Sequence, residues 1–267
     1  MRPLGVIGHL SRDVVAGGEP RIGGGPWHAG RALRALHQDA VVTVKCGEAE
    51  RGAYTRRLAR LGLPVALRVG GETTAFSFSY DAAGRRAMRV EALGEPWSED
   101  EAPLRELRRV EWLHVAPLLR GDFAPGVLEQ VCRGRRVLLD GQGLVRRRAL
   151  GPLVLDDGFD RDELRGVSVL KLSEEEATAI VGEGDLEELR GLGVPEIVVT
   201  FGLAGSLVLA RGVSERVRAR PVAGDPTGAG DAFSVAYLGA RAVGHSPVSA
   251  ARRATALVAS LLAGAAR

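Results

Sequence analysis

Gly224-Asp225-Pro226-Thr227-Gly228-Ala229-Gly230-Asp231-Ala232-Phe233 joins a β-like stretch to a strongly helical pattern. Its small residues let the backbone turn tightly and approach a ligand without Cβ clashes. A helix opening near Gly228 leaves N–H groups without intrahelical partners, with the positive end of the helix dipole behind them. Such a helix start is suited to hold charge developing on a transferred phosphoryl group. Asp231 falls within the first turn, where a carboxylate can accept a proton from a hydroxyl. An ordinary glycine-rich helix start, with an acid favoured by the dipole, has the same local pattern. The rest of the chain decides between the two.

Outward from this stretch, short β-branched runs alternate with helical ones. Strands are expected at Leu4–Gly8, Ala40–Lys45, Glu111–Val115, Arg136–Asp140, Ser168–Leu172 and Glu196–Thr200. Helices are expected at Pro26–His37, Arg51–Leu61, Gly126–Cys132 and Glu174–Val181, with two more around Gly228–Val243 and Pro247–Ala263. This alternation predicts an α/β fold with a mostly parallel central sheet flanked by helices on both faces. One region departs from it. Thr74-Ala75-Phe76-Ser77-Phe78-Ser79-Tyr80 has period two, and a turn at Asp81-Ala82-Ala83-Gly84 leads into Arg86-Ala87-Met88-Arg89-Val90-Glu91. Residues 73–93 therefore read as an antiparallel hairpin, to which residues 13–22 add a strand, forming a small β lid. The whole of residues 1–267 reads as one such domain.

The 267 residues are 45% hydrophobic and 26% charged, enough for one large core. No apolar run reaches the ~18 residues of a membrane span, and the N-terminus lacks a signal-peptide layout. The two cysteines, Cys46 and Cys132, are far apart without metal-ligand spacing, as expected of free thiols in a reducing cytoplasm. The net charge of +3 comes from arginines scattered among acids, as in Arg146-Arg147-Arg148, with few aromatics between them. Solvated faces, rather than a nucleic-acid surface, are the expectation. Neither a G-x-x-x-x-G-K-[ST] loop nor a complete dinucleotide fingerprint is present. Lysine occurs only as Lys45 and Lys171, each after an apolar β-type run. Both positions are where ligands of an open α/β sheet lie, and equally where a charge merely reaches solvent.

Asp225-Pro226-Thr227-Gly228-Ala229-Gly230-Asp231 resembles the D-T-T-G-A-G-D signature of the ribokinase-like (PfkB) carbohydrate kinases in six of seven positions, Pro226 being the exception. The resemblance implies a ribokinase-like three-layer sandwich and an ATP-dependent kinase. Asp231 is then the base, and Gly228, Ala229 and Gly230 the anion hole. Other segments follow in the family's order. Arg21-Ile22-Gly23-Gly24-Gly25-Pro26 resembles the glycine pair against which the acceptor lies, here Gly24 and Gly25. Where the family has an asparagine, this chain has Trp27-His28-Ala29, so either His28 replaces it or His28 has no such role. Asp13 matches the early acid that binds sugar hydroxyls. Lys171-Leu172-Ser173-Glu174-Glu175-Glu176 resembles the N-x-x-E segment, with Ser173 for asparagine and Glu176 helping to organise Mg2+. Ser173-x-x-Glu176 is also a helix capping box. Thr200, Gly202 and Gly205, with Lys171, Ser173, Asp225 and Thr227, are expected on the nucleotide side. A monovalent cation such as K+ is a further family feature that this sequence leaves open.

Several segments are similar to the compact myo-inositol kinase branch, among them Val44-Lys45-Cys46, Leu113-His114-Val115-Ala116-Pro117-Leu118 and Asp140-Gly141-Gln142-Gly143. On this resemblance the acceptor is a sugar or cyclitol, bound by Asp13, Gly24, Gly25, His28, Lys45 and Gln142. Two rivals stand beside it: a nucleoside kinase of the same family, and a non-catalytic ligand-sensing protein that kept the fold. Expected partners are a small polyol or sugar, with no nucleic acid and no membrane, in a cytoplasmic protein. An exposed lid sheet allows a homodimer to pair through it, and a monomer with that edge covered fits the sequence equally well.

Overall fold

The computed structural model describes residues 3–80, 86–102, 105–222 and 225–265. The turn expected at Asp81-Ala82-Ala83-Gly84, and Gly224, lie outside them. In chain order the elements are β1 (Leu4–His9), β2 (Ser11–Val15), β3 (Arg21–Gly23), α1 (Gly25–Ala35), β4 (Ala40–Cys46), α2 (Arg51–Ala59) and β5 (Val65–Val69). Next come β6 (Thr74–Tyr80), β7 (Arg86–Ala92), β8 (Trp112–Ala116), α3 (Pro125–Cys132), β9 (Arg136–Asp140), α4 (Gln142–Val145) and β10 (Gly151–Pro152). The last third holds β11 (Val167–Ser173), α5 (Glu174–Val181), β12 (Glu196–Thr200), β13 (Ser206–Ala210), β14 (Val213–Val217), α6 (Ala229–Ala242) and α7 (Pro247–Ala265).

Nine strands form the main sheet in the order β14-β13-β12-β11-β9-β8-β1-β4-β5. All neighbours pair in parallel from β5 to β12, and only β12–β13–β14 run antiparallel. Successive side chains of these strands enter different cores, as the pleat demands. Val6, Val42, Leu138, Val169 and Val198 pack with α1, α6 and α7. Ile7, Leu113, Leu139, Leu170 and Ile197 pack in a second core with α3. The expected sandwich with helices on both faces is therefore present. The chain reverses at β13 and β14 where the sequence pattern gave only a glycine turn.

The second sheet has the order β10-β7-β6-β2-β3. The expected hairpin is β6–β7. Residues 13–22 contribute parts of two strands instead of one: β2 pairs parallel to β6, and β3 returns antiparallel to β2. Ala16 and Gly17, with φ of 48° and 70°, make the reversal between them. Phe76, Val90, Leu118 and Leu119 form a small third core that seats this sheet on the body. Among the described residues, no helix is long and apolar enough to cross a membrane.

Candidate active site

The carboxyl ends of β9 and β11, the small sheet and the start of α6 enclose a cleft of about 680 Å³. A cavity of similar size, about 730 Å³, opens among Arg133, Arg135 and Gly166 near the amino ends of β9 and β11. Ligands of open α/β sheets sit beyond the carboxyl ends, which favours the first.

Helix α6 supplies the cleft's floor. Gly228 is its N-cap, left-handed at φ 79°, and has no side-chain cap. A Cβ there would lie 2.5 Å from the His28 ring, so both conformation and packing require glycine. The Ala229 N–H is taken by Pro226 O at 2.9 Å, so that amide is removed from the expected anion hole. The N–H groups of Gly230 and Asp231 have no acceptor among the described residues, as the geometry of a first turn dictates. They are the open donors beside the carboxylate. Gly25 approaches from α1. A Cβ on it would stand 2.8 Å from Asp231 Oδ1 and 2.6 Å from Ala116 Cβ.

Four charged groups surround Asp231. Burial first, then the Asp140 carboxylate, pushes the Asp231 carboxyl up to about 8, while Lys171 and Arg146 pull it down and Glu176 adds to the rise. Lys171, 6% exposed, has Nζ 3.4 Å from Asp140 Oδ2. Burial acts to lower its pKa, but Asp140, Glu176 and Asp231 outweigh that and raise it, so its ammonium stays charged. Arg146 Nη2 lies 3.6 Å from Glu176 Oε1. The arginine run at residues 146–148 is thus not a solvated face. Arg146 lines the cleft, and Arg148 donates to the buried Asp122 at 2.7 Å.

The capping box is formed: Ser173 N donates to Glu176 Oε2 at 2.9 Å, and Glu176 N to Ser173 Oγ at 3.2 Å. This positions Glu176 rather than excluding it, because Ser173 and Glu176 both line the cleft and Oε1 faces Arg146. Asp13, Gly24, Gly25, His28, Gln142 and Thr227 also line it. His28 is neutral: burial, then Arg31, lowers its pKa to about 4 against the pull of Asp225. Gln142 donates its amide to Pro117 O at 2.6 Å. Phe76, Phe78 and Met88 of the small sheet face the same space and give it an apolar roof.

Five expected residues are placed elsewhere. Asp225 accepts from Thr227 N at 2.9 Å and Thr227 Oγ1 at 2.7 Å, bracing the turn before α6 without lining the cleft. These two hydrogen bonds lower its pKa. Thr200 donates Oγ1 to Leu172 O at 3.1 Å and, with Gly202 and Gly205, borders a separate cavity. Lys45 is not brought to the cleft at all. Its ammonium, 1% exposed, donates to Pro96 O at 3.0 Å and Glu101 Oε2 at 2.7 Å, with Glu95 at 3.3 Å. It ties β4 to the segment that follows the hairpin. Lys45→Met should therefore cost about 1–3 kcal/mol, lowering the thermal midpoint by several degrees. The acceptor KM should stay at its wild-type value. A large rise in KM at unchanged stability would return Lys45 to the binding site.

The separate cavity, about 120 Å³, lies between the Gly202–Gly205 turn and helices α6 and α7. Leu203, Val222, Phe233 and Val258 make it largely apolar, and Gly230 borders both it and the cleft. The α6 turn therefore separates a polar cleft from an apolar cavity. Sequence reasoning missed Asp140 and Arg146 as wall residues. The strand-end acid of the Asp140–Gln142 segment was the available signal for the first.

A family model described as pfkB family carbohydrate kinase matches residues 155–265. Among solved structures, the chain is similar to a pyrophosphate-dependent kinase of the ribokinase family in a sulfate complex, with 25% identity and a TM-score of 0.80. That match covers 97% of this chain and 95% of the other. A pyrophosphate-dependent kinase of the ribokinase family bound to a pyrophosphate analog and myo-inositol is 24% identical, with a TM-score of 0.81 over 97% of this chain and 94% of that one. Arabidopsis thaliana ribokinase bound to ribose and ATP is 20% identical, with a TM-score of 0.72 over 98% and 92%. The latter two establish the ribokinase-like fold. Residues 155–265 thus match the pfkB carbohydrate kinase pattern, within a ribokinase-like fold that runs along the chain.

Proposed function

We propose that the protein transfers a phosphoryl group to a hydroxyl of a sugar or cyclitol, with Asp231 as base. The observation that carries this is the juxtaposition at the start of α6: a carboxylate beside open first-turn N–H groups, in a cleft bordered by Asp13, His28 and Gln142. The acceptor's O–H proton passes to Asp231 as its oxygen bonds the phosphorus and the bond to the departing phosphate breaks. The Gly230 and Asp231 amides and Lys171 face the charge on the transferring group. Phe76 and Phe78 of the small sheet keep water away as a lid. The carboxylate of Glu176 is a hard oxygen donor that fits magnesium arriving with the donor phosphates. When bound, that ion neutralises phosphate charge.

ATP is the donor this reading favours, because an apolar cavity suited to a base adjoins the phosphate-side glycine turn. Pyrophosphate is the second reading. It is supported by the similarity to pyrophosphate-dependent kinases and by Arg146 and Lys171, two cations at the cleft itself. Val258→Trp, which fills the apolar cavity, should lower the ratio of ATP-driven to pyrophosphate-driven turnover by about tenfold or more if adenine binds there. An unchanged ratio would place the base elsewhere. The acceptor is tested by screening cyclitols, sugars, polyols and nucleosides for donor consumption. A cyclitol or sugar should lead. Preference for a nucleoside would move the assignment to the nucleoside kinases, and no consumption with any acceptor would support a non-catalytic protein.

A further inference from the structure

His114 sits on β8, where alternation gives it an apolar address. Its register partners are Val6 on β1 and Leu138 on β9, both members of the core beneath α6. An aliphatic side chain would satisfy that position. Instead an imidazole is fully buried there, 0% exposed, and neither ring nitrogen has a hydrogen-bond partner among the described residues. Leaving a buried donor and acceptor unpaired costs about 1–3 kcal/mol each. The ring is neutral, because burial, then Lys171 against the pull of Asp140, lowers its pKa to about 4. It therefore carries one N–H donor and one bare nitrogen.

The ring is aimed at the active site from below. One ring nitrogen, one Asp140 oxygen and one Asp231 oxygen all lie within 4.8 Å of one another. That triad also has metal-ligand chemistry, but the Lys171 ammonium already stands 3.4 Å from Asp140, where a second cation would meet strong repulsion. A hydrogen-bonding role is the one the charges permit. Apo sites commonly hold such contacts long and tighten them when substrates bind.

We propose that His114 is a positioning residue for Asp231: its ring N–H donates to the Asp231 carboxylate from beneath and turns the other oxygen toward the acceptor hydroxyl. The kinetic consequence rests on the phosphoryl-transfer reading; the contact itself does not.

The test has two arms. In the first, the imidazole nitrogens of 15N-histidine-labelled protein are observed with and without Mg-ADP, in the wild type and in Asp231→Asn. A single neutral tautomer is expected, with an N–H resonance of His114, assigned by its loss in His114→Gln, that shifts in Asp231→Asn. No shift in either condition overturns the contact, whether or not the protein turns over any acceptor. In the second arm, His114→Leu and His114→Met remove the donor, while His114→Asn and His114→Gln keep one. The donor-less variants should lose about 10- to 100-fold in kcat with both KM values unchanged, and one amide variant should recover most of it. Two donor-less variants guard against one failing to fold. Wild-type kcat in either, or amide variants no better than they are, overturns the role. A wild-type protein inactive on every acceptor defeats the kinase reading, while the ring spectra still decide the contact.

Discussion

Asp231→Asn should lose at least about 1,000-fold in kcat while its ATP affinity stays near that of the wild type. The amide is nearly isosteric, so the first turn of α6 and its Gly230 and Asp231 N–H groups keep their places. What disappears is the group that takes the acceptor's proton. The same variant carries an opposite stability signature. The Asp231 carboxyl is raised from 3.8 to about 8 in the fold, so the folded protein favours its protonated form. Its contribution to stability is complete below about pH 4 and is lost as pH rises towards 8. Asn, which never ionises, should therefore match or exceed the wild-type thermal midpoint at pH 8, with the difference shrinking as pH falls towards 4. In the wild type, turnover should climb through the same range as the base ionises. A variant that loses both activity and stability would mean that Asp231 is a structural acid.

Lys171→Met should be nearly as damaging, by a different route. Lys171 is the charged partner of Asp140 and one of two cations facing Asp231. Without it, Arg146 is the positive group left facing Asp231 among the described residues. Removing one partner of a buried pair costs about 3–5 kcal/mol when the other stays charged. Asp231 would respond by holding its proton to higher pH, so the acidic limb of the kcat profile should move upward. Turnover at pH 7 should fall by at least about 100-fold. Lys171→Arg should rescue only part of this, because a Cβ on Gly230 would already lie 3.1 Å from Lys171 Nζ and a guanidinium is larger. An unmoved acidic limb in Lys171→Met would separate Lys171 from the base.

The sequence made the parallel strands, α6 and its glycine turn legible because each rests on local rules: period-two or period-3.6 patterning, and small residues where the backbone needs room. Residues whose meaning is set by their neighbours in space were harder. Lys45 and Lys171 have the same local signature, a lysine after a β-branched run. Sheet order separates them, since β11 places Lys171 beside Asp140 of β9, while β4 places Lys45 beneath Glu95, Pro96 and Glu101. Arg146, within a run of three arginines, looked like a solvated charge; only the fold brings it to Glu176. The antiparallel strands β13 and β14 hid behind the glycine turn that precedes them. His114 lies in a segment similar to the myo-inositol kinase branch, yet its significance comes from the register that sets it among aliphatic partners beneath the site.

The most direct test of the account is a 31P spectrum of the purified protein with Mg2+, its donor and the leading acceptor, since it distinguishes transfer from hydrolysis. A new phosphomonoester resonance should grow with the loss of donor, and it should be absent with Asp231→Asn. Inorganic phosphate as the only product across the acceptor panel, with ATP and pyrophosphate alike, or a phosphomonoester formed at the wild-type rate by Asp231→Asn, would contradict it.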